Sequence, residues 1–323
     1  IVLDLSPYFE ADEEWYNGFA KPNWDIVDYE KYGYDGIYGA PWSSYEIFLY
    51  YNEEYLDACG LEVPKSWDDL KNCCKVLMEN GYQPFMVGES DNYRYGHLLS
   101  AMAVKTYGPE FQDQLAAREY NYDSPEIISL IQEIKDMQDA GYFGENVLSV
   151  DVNAERSYFG AGDCAFMIDL SRAGAILKDS ECFANQTIHT AKFPYFDQAY
   201  EKDNMGGASQ NYFICTMNKS TNQIKASLKV LKWLTSTEFV DELVQEYAST
   251  YSVLPTEGIT DNYMFDECNA LMKETETYVQ ELAQVSTNTA ELTVVRNALQ
   301  MLGSGATAEE VGKEIVDNLS NYE

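Results

Sequence analysis

Three stretches of the chain mix aromatic rings with small or planar polar side chains: Pro41-Trp42-Ser43-Ser44-Tyr45-Glu46, Asp91-Asn92-Tyr93-Arg94-Tyr95 and Gly206-Gly207-Ala208-Ser209-Gln210-Asn211-Tyr212. Aromatic residues are in excess, at 14% of the chain, and the 26 Tyr lead the 14 Phe and 5 Trp. The chemistry this mixture supports is recognition. A ring stacks on the C–H face of a pyranose, while amide, carboxylate and guanidinium groups bond its hydroxyls. Any single Tyr among them reads first as an ordinary core or interface residue.

Patterns for bond-making chemistry are weaker. Gly160-Ala161-Gly162-Asp163-Cys164-Ala165 fits a loose dinucleotide loop, which has to follow a strand and open a helix. Here the strand-like Phe166-Met167-Ile168 follows instead, so no cofactor is expected. His97 and His189 lie far apart, lack a recognisable partner and read as surface or lightly buried residues. With 54 acidic residues, carboxylate pairs of the kind glycosidases use abound by chance, and most are a solvated face. The seven cysteines form no C-x-x-C pair and no zinc spacing; they read as small buried apolar residues in a reducing or oxygen-poor setting. No metal is expected.

The elements that must position these residues are helices interleaved with short strands. Strand-like runs are Gly36–Tyr51, Gln83–Val87, Cys164–Leu170, Thr187–Phe193 and Tyr212–Thr216. Ser66 with Asp69, and Thr307 with Glu310, have capping-box spacing. Ser124-Pro125 opens a helix with Ile127, Ile128, Ile131, Ile134 and Met137 as its apolar stripe. Ser236 opens another, carrying Phe239, Val240, Leu243, Val244 and Tyr247. Trp15, Trp67 and Trp233 read as core. The alternation predicts an α/β fold of about two domains, with no linker between them, so several strands must cross from one to the other.

Composition narrows the partners. A formal charge of −33 over 323 residues excludes nucleic acid and anionic lipid as default partners. No apolar run reaches the roughly 18 residues of a membrane span, and no signal peptide is visible at the start. The opening Ile1-Val-Leu-Asp-Leu, without an initiator Met, reads as a processed product or a fragment.

Taken in order, four stretches resemble family 1 of the extracellular solute-binding proteins of ABC importers, the sugar-binding group that includes maltose-binding protein. "DGIYGAPWSSYEIFLYYNEEYLDACGLEVPKSWDDL" is similar to the family's crossover strand, Tyr-Asn strand end and Pro-x-x-Trp helix start. "YFGAGDCAFMIDLSRAG" resembles its Phe-x-x-Gly strand and turn, "NMGGASQNYFICTMNKS" its Gly-Gly hinge strand, and "ASLKVLKWLTSTEFVDELVQEYASTYSVLPT" its paired helices and Leu-Pro turn.

The resemblance implies a type II periplasmic-binding-protein fold: two α/β lobes joined by crossover hinge strands, with a ligand cleft between them. Residues 1–47 and 211–252 would form an N-terminal lobe lacking its first part; residues 48–210 and 253–323 would form the C-terminal lobe. It also implies a substrate-binding component, not an enzyme, that takes a carbohydrate to ABC permease transmembrane subunits and works as a monomer. The implied location is outside the cell, as a surface lipoprotein of a Gram-positive, anaerobic bacterium, or in a periplasm. A glycoside hydrolase or a surface carbohydrate-adhesion protein remain as the other readings.

Carried over by motif position, Tyr45 falls where maltose-binding protein places a ligand contact, with Trp42 and Glu46 flanking it. Strand alternation puts Ser43 with Tyr45 on one face and Trp42, Ser44 and Glu46 on the other. Tyr93 and Arg94 sit in a loop that supplies an aromatic cluster in that relative. Arg172 stands where the family often has a stacking Trp. Gly207, Gln210 and Tyr212 lie on the returning hinge strand, and Tyr251 just before the Leu-Pro turn. Arg172 could stack on a sugar or pair with a carboxylate.

Overall fold

The computed structural model describes residues 1–27, 30, 33–284, 286 and 288–321, with the side chains of Ala208 and Ser209 also outside the description. Among the described residues five strands form one mixed sheet: β1 (Ala40–Asn52), β2 (Phe166–Leu170), β3 (Ile188–Lys192), β4 (Asp203–Tyr212) and β5 (Thr277–Val279). β1 is the axis of the sheet. Its first half, Ala40 to Glu46, pairs antiparallel with β4. Its second half pairs antiparallel with β2 on one edge (Ile47–Tyr51) and with β3 on the other (Phe48–Asn52). β5 adds to β4 in parallel.

Helices cover this sheet. Arg94–Tyr107 packs on β4, Tyr263–Met272 on β3, and Pro22–Ile26 on β4 and β5. The predicted capping boxes form at Ser66/Asp69 and Thr307/Glu310, opening helices Trp67–Glu79 and Ala308–Leu319. The helix Pro125–Asp139 buries Ile127, Ile131, Ile134 and Met137 as expected, while Ile128 is only partly covered.

Apolar side chains collect into a large core around Leu49, Trp67, Leu99 and Ile131, a flanking cluster around Phe48 and Phe159, and a separate smaller core. The smaller core gathers Leu5, Phe9, Trp15, Phe19, Ile214 and Val240, and also Val253 and Phe265. β1, β4 and the segment through Thr250–Ser252 run between the cores. Ser252 N–H donates to the Trp42 carbonyl at 2.8 Å, and Ala20 N–H donates to the Ser252 carbonyl at 2.8 Å.

Several strand bounds differ from the sequence reading. β1 starts at Ala40 rather than Gly36, because Ile37 is bonded to the first helix: Leu5 N–H donates to its carbonyl and its own N–H donates to Ser6 Oγ. Gln83–Val87 is extended but joins no ladder. Pro84 has no N–H, and the donors of Phe85 and Val87 go to the loop carbonyls of Tyr142 and Phe143. β4 ends at Tyr212, where a strand was expected to begin. Its sequence, DNMGGASQNY, has no apolar alternation to reveal it. Trp233 is 51% exposed rather than core, and Tyr247 is exposed at 53%.

Glu46 ties β1 to β4 and to the edge strand β5. It is 1% exposed, and its Oε1 accepts hydrogen bonds from Asn204 Nδ2 and Thr275 Oγ1, both at 2.7 Å. Tyr278 OH donates to its Oε2 at 3.2 Å. Burial pushes this carboxyl up from 4.5 to about 7, against the pull of those donors and of Lys105. The folded chain therefore holds this proton more tightly than the unfolded chain. Its stabilising contribution is complete below pH 4.5 and is lost as pH rises through about 7. Denaturant melts of wild type and Glu46→Gln should diverge as pH rises from 5 to 8, wild type losing on the order of 3 kcal/mol relative to the variant. A difference that stays constant across that range would contradict this account.

Candidate functional site

A cavity of about 580 Å³ opens between the large and small cores. β1 provides its floor through four consecutive residues, Trp42, Ser43, Ser44 and Tyr45. Strict alternation would have sent Trp42 and Ser44 away from Ser43 and Tyr45. The β1–β4 register shifts between Pro41 and Ser43 and again between Ser43 and Ser44. Such irregularities turn side chains off their pleat, yet the Ser44 hydroxyl still points to the buried Asn23, which does not line the cavity, and donates to its Oδ1 at 3.1 Å. Gln210 of β4, opposite Ser43, reaches the same space.

The other walls come from distant segments. Tyr93 precedes the helix Arg94–Tyr107, and His97 lies one turn into it. Arg156 projects from the helix Val152–Ala161; Asp169, Leu170 and Arg172 come from the end of β2. Ser249, Thr250 and Tyr251 belong to the third crossing segment. Gln280, Glu281 and Gln284 follow β5, and Arg296 comes from the helix Glu291–Leu299.

Four aromatic rings thus face one space, each held by its own support. Trp42 packs against Tyr212 at 5.1 Å, Tyr251 at 5.2 Å and Phe239 at 6.0 Å between ring centres. Tyr93 lies 5.1 Å from the His97 ring, and the Arg296 guanidinium sits 5.7 Å from its centre. Burial pushes the Tyr45 hydroxyl up to about 12, with Glu281 adding to the effect and Arg296 opposing it.

The charged groups are largely fixed by one another. Arg156 Nε donates to Asp169 Oδ2 at 2.6 Å and its Nη2 to Oδ1 at 3.2 Å. Arg94, behind the wall, donates from Nη1 to the same Oδ1 at 3.3 Å and from Nε to Glu155 Oε2 at 3.1 Å. Burial alone would raise the Asp169 carboxyl, but Arg94 and Arg156 outweigh it and hold it at about 2. Arg296 Nε donates to Glu281 Oε1 at 2.8 Å, and Glu281 Oε2 lies 3.7 Å from His97 Nε2. His97 is driven down to about 3 by burial and by Arg94 and Arg296, so its ring is neutral. Its Nδ1 is buried with no partner among the described residues.

Of the residues expected at a site, the fold brings together Trp42, Ser43, Tyr45, Tyr93, Arg172, Gln210 and Tyr251. Four others do not line the cavity. Glu46 points to the other side of β1 and is consumed by the strand junction. Arg94 is 1% exposed and spends its charge on Glu155 and Asp169. Tyr212 backs Trp42 instead of facing the space. Gly207 has φ +129°, and a Cβ there would meet the Ile26 side chain at 2.8 Å, so its small size serves packing against the helix Pro22–Ile26.

Sequence reasoning missed Arg156, Asp169, Gln280, Glu281 and Arg296, and it placed His97 near the surface without a partner. His189 also has partners: its Nδ1 meets Glu267 at 2.8 Å, away from the cavity. Nothing local marks the missed residues, since each acquires its role from a partner many residues away.

Comparison with known proteins bears on the fold. Among solved structures, the chain is similar to a bacterial solute receptor, AcbH, described by its exclusive preference for β-D-galactopyranose, with a TM-score of 0.83 at 14% identity, covering 100% of this chain and 79% of that one. A Streptococcus pneumoniae solute-binding protein, solved with the blood group A-trisaccharide, matches with a TM-score of 0.72 at 17% identity, over 99% and 79% of the two chains. Maltose-bound MalE3 of T. maritima matches with a TM-score of 0.67 at 16% identity, over 100% and 80%. The shared architecture is the type II periplasmic-binding-protein fold. Residues 1–240 match the family of bacterial extracellular solute-binding proteins, and with that match spanning most of its length the chain belongs to this family.

Proposed function

We propose that this protein is the substrate-binding component of an ABC importer that captures a carbohydrate in the cavity between its cores and passes it, unaltered, to the permease transmembrane subunits. The observation that carries the reading is the convergence of Trp42, Tyr45, Tyr93 and Tyr251 on one cavity edged by Gln210, Gln280, Gln284 and charged side chains. Rings of that kind fit the apolar faces of a sugar, and planar polar groups fit its hydroxyls. At about 580 Å³ the space has the size of a small-molecule site. The sugars named for structures of the same fold support the reading.

The proposed lobes are residues 1–47 with 211–252 and residues 48–210 with 253–323. They close on the ligand about the three crossing segments, because only a bound sugar bonds to both sides at once. The closed form is what docks on the permease, outside the cell or in the periplasm. Binding without cleavage fits the carboxylates. A glycosidase needs one carboxyl that keeps its proton, whereas Asp169 on the cavity wall is held at about 2 by Arg94 and Arg156. Among the described residues no helix is long and apolar enough to cross a membrane.

A thermal-shift screen of the 323-residue chain against glucose, galactose, maltose, xylobiose, chitobiose, raffinose and their uronic-acid counterparts tests this. A cognate sugar at a hundred times its Kd should raise Tm by about 5 °C. Released reducing ends without a shift in Tm would point to hydrolysis and overturn the reading, as would no response to any sugar. For the cognate sugar, Trp42→Ala and Tyr251→Ala should each weaken binding by about tenfold or more in calorimetry. Glu46→Gln, whose side chain is outside the cavity, should change affinity by less than about threefold.

A further inference from the structure

Resting on the carbohydrate reading above, we propose that the sugar this cavity takes carries a carboxylate, and that Arg172 is the group that recognises it. Three guanidinium groups line the cavity, those of Arg156, Arg172 and Arg296, against two carboxylates, Asp169 and Glu281. Arg156 is committed to Asp169 through two nitrogens, and Arg296 to Glu281 in the same way. Asp169 is further shared with the buried Arg94. Arg172 is exposed at the mouth of this arrangement, immediately after β2, and no carboxylate among the described residues pairs with it. The cavity wall therefore holds one uncompensated positive charge in a chain of net charge −33.

His97 beside this wall is kept neutral mainly by burial, then by Arg94 and Arg296, with Asp169 opposing and Arg172 adding least. The chain's overall charge repels anions at long range, so the attraction of Arg172 for one acts only within the cavity, where low dielectric walls strengthen it. The planar fork of an arginine accepts a carboxylate through two parallel bonds. A neutral sugar offers nothing of that strength to the same group.

Calorimetry with matched pairs tests the proposal: D-galacturonate against D-galactose, D-glucuronate against D-glucose, and trigalacturonate against a neutral trisaccharide, with N-acetylneuraminate as a second source of a sugar carboxylate and acetate as a sugar-free one. At low salt one acid should bind about thirtyfold tighter than its neutral partner. Arg172→Gln should remove most of that ratio, Arg172→Lys should keep part of it, and salt should shrink it. Circular dichroism of the two variants confirms that they fold. A neutral sugar bound as tightly as its acid, with a ratio indifferent to Arg172→Gln, overturns the inference and leaves the carbohydrate reading standing. Acetate matching the sugar acids would also overturn it. Failure of every sugar, neutral and acidic, removes the carbohydrate reading and this inference together.

Discussion

The molecule depends on what β1 does at residues 44 to 47. A single strand pairs with β4 up to Glu46 and then, from Ile47 onward, with β2 and β3. A strand that changes partners in the interior has to keep every backbone group bonded, since a buried orphan costs on the order of 1–3 kcal/mol. Here the exchange is covered by a chain of buried side chains. Thr250 Oγ1 donates to the Ser44 carbonyl at 2.7 Å and lies 2.7 Å from Ser171 Oγ, while Ser171 N–H donates to the Glu46 carbonyl at 2.8 Å. Residues from three separate passes of the chain thus meet at one point. The cavity lies beside that point, bordered by the four residues of β1 just before it, where the pairing with β4 is irregular.

The charges near the cavity follow a second constraint. Arg94, Glu155 and Asp169 are almost completely buried, and Arg156 nearly so. Taking such groups out of water is costly unless each is matched by an opposite charge at hydrogen-bond distance. Their pairing secures a rigid wall: Asp169 holds two guanidinium groups in place, and Glu281 holds a third. Side chains immobilised in this way lose little further freedom when a ligand arrives, which favours tight and selective binding.

Much of this was legible in the residues themselves. Capping signals at Ser66 and Thr307 act within one helical turn, so local sequence is enough to place them. The cavity residues on β1, and Tyr93, Arg172, Gln210 and Tyr251, were found through stretches whose order along the chain matches a known family. β4 was found only through the family resemblance and not from local pattern, because its Gly-rich, polar sequence is stabilised by the strands on either side. Glu46 and Arg94 were placed in the site on the strength of their neighbours, yet a one-position difference along a strand or helix decides whether a charge faces solvent or the interior. Arg156, Glu281 and Arg296 escaped for a related reason: an ion pair across 13 or 15 residues leaves no periodic trace.

The placement of Trp42 has an optical consequence. Trp15 and Trp67 are buried in the two cores, with their indole N–H groups already bonded to Thr235 and Glu133. Of the five tryptophans, Trp42 alone lines the cavity. The chain therefore contains a built-in fluorophore whose emission responds to the polarity of that space, over a background in which Trp15 and Trp67 are shielded from it. Occupancy can be followed by its colour, without a label and without knowing beforehand which molecule fills the space.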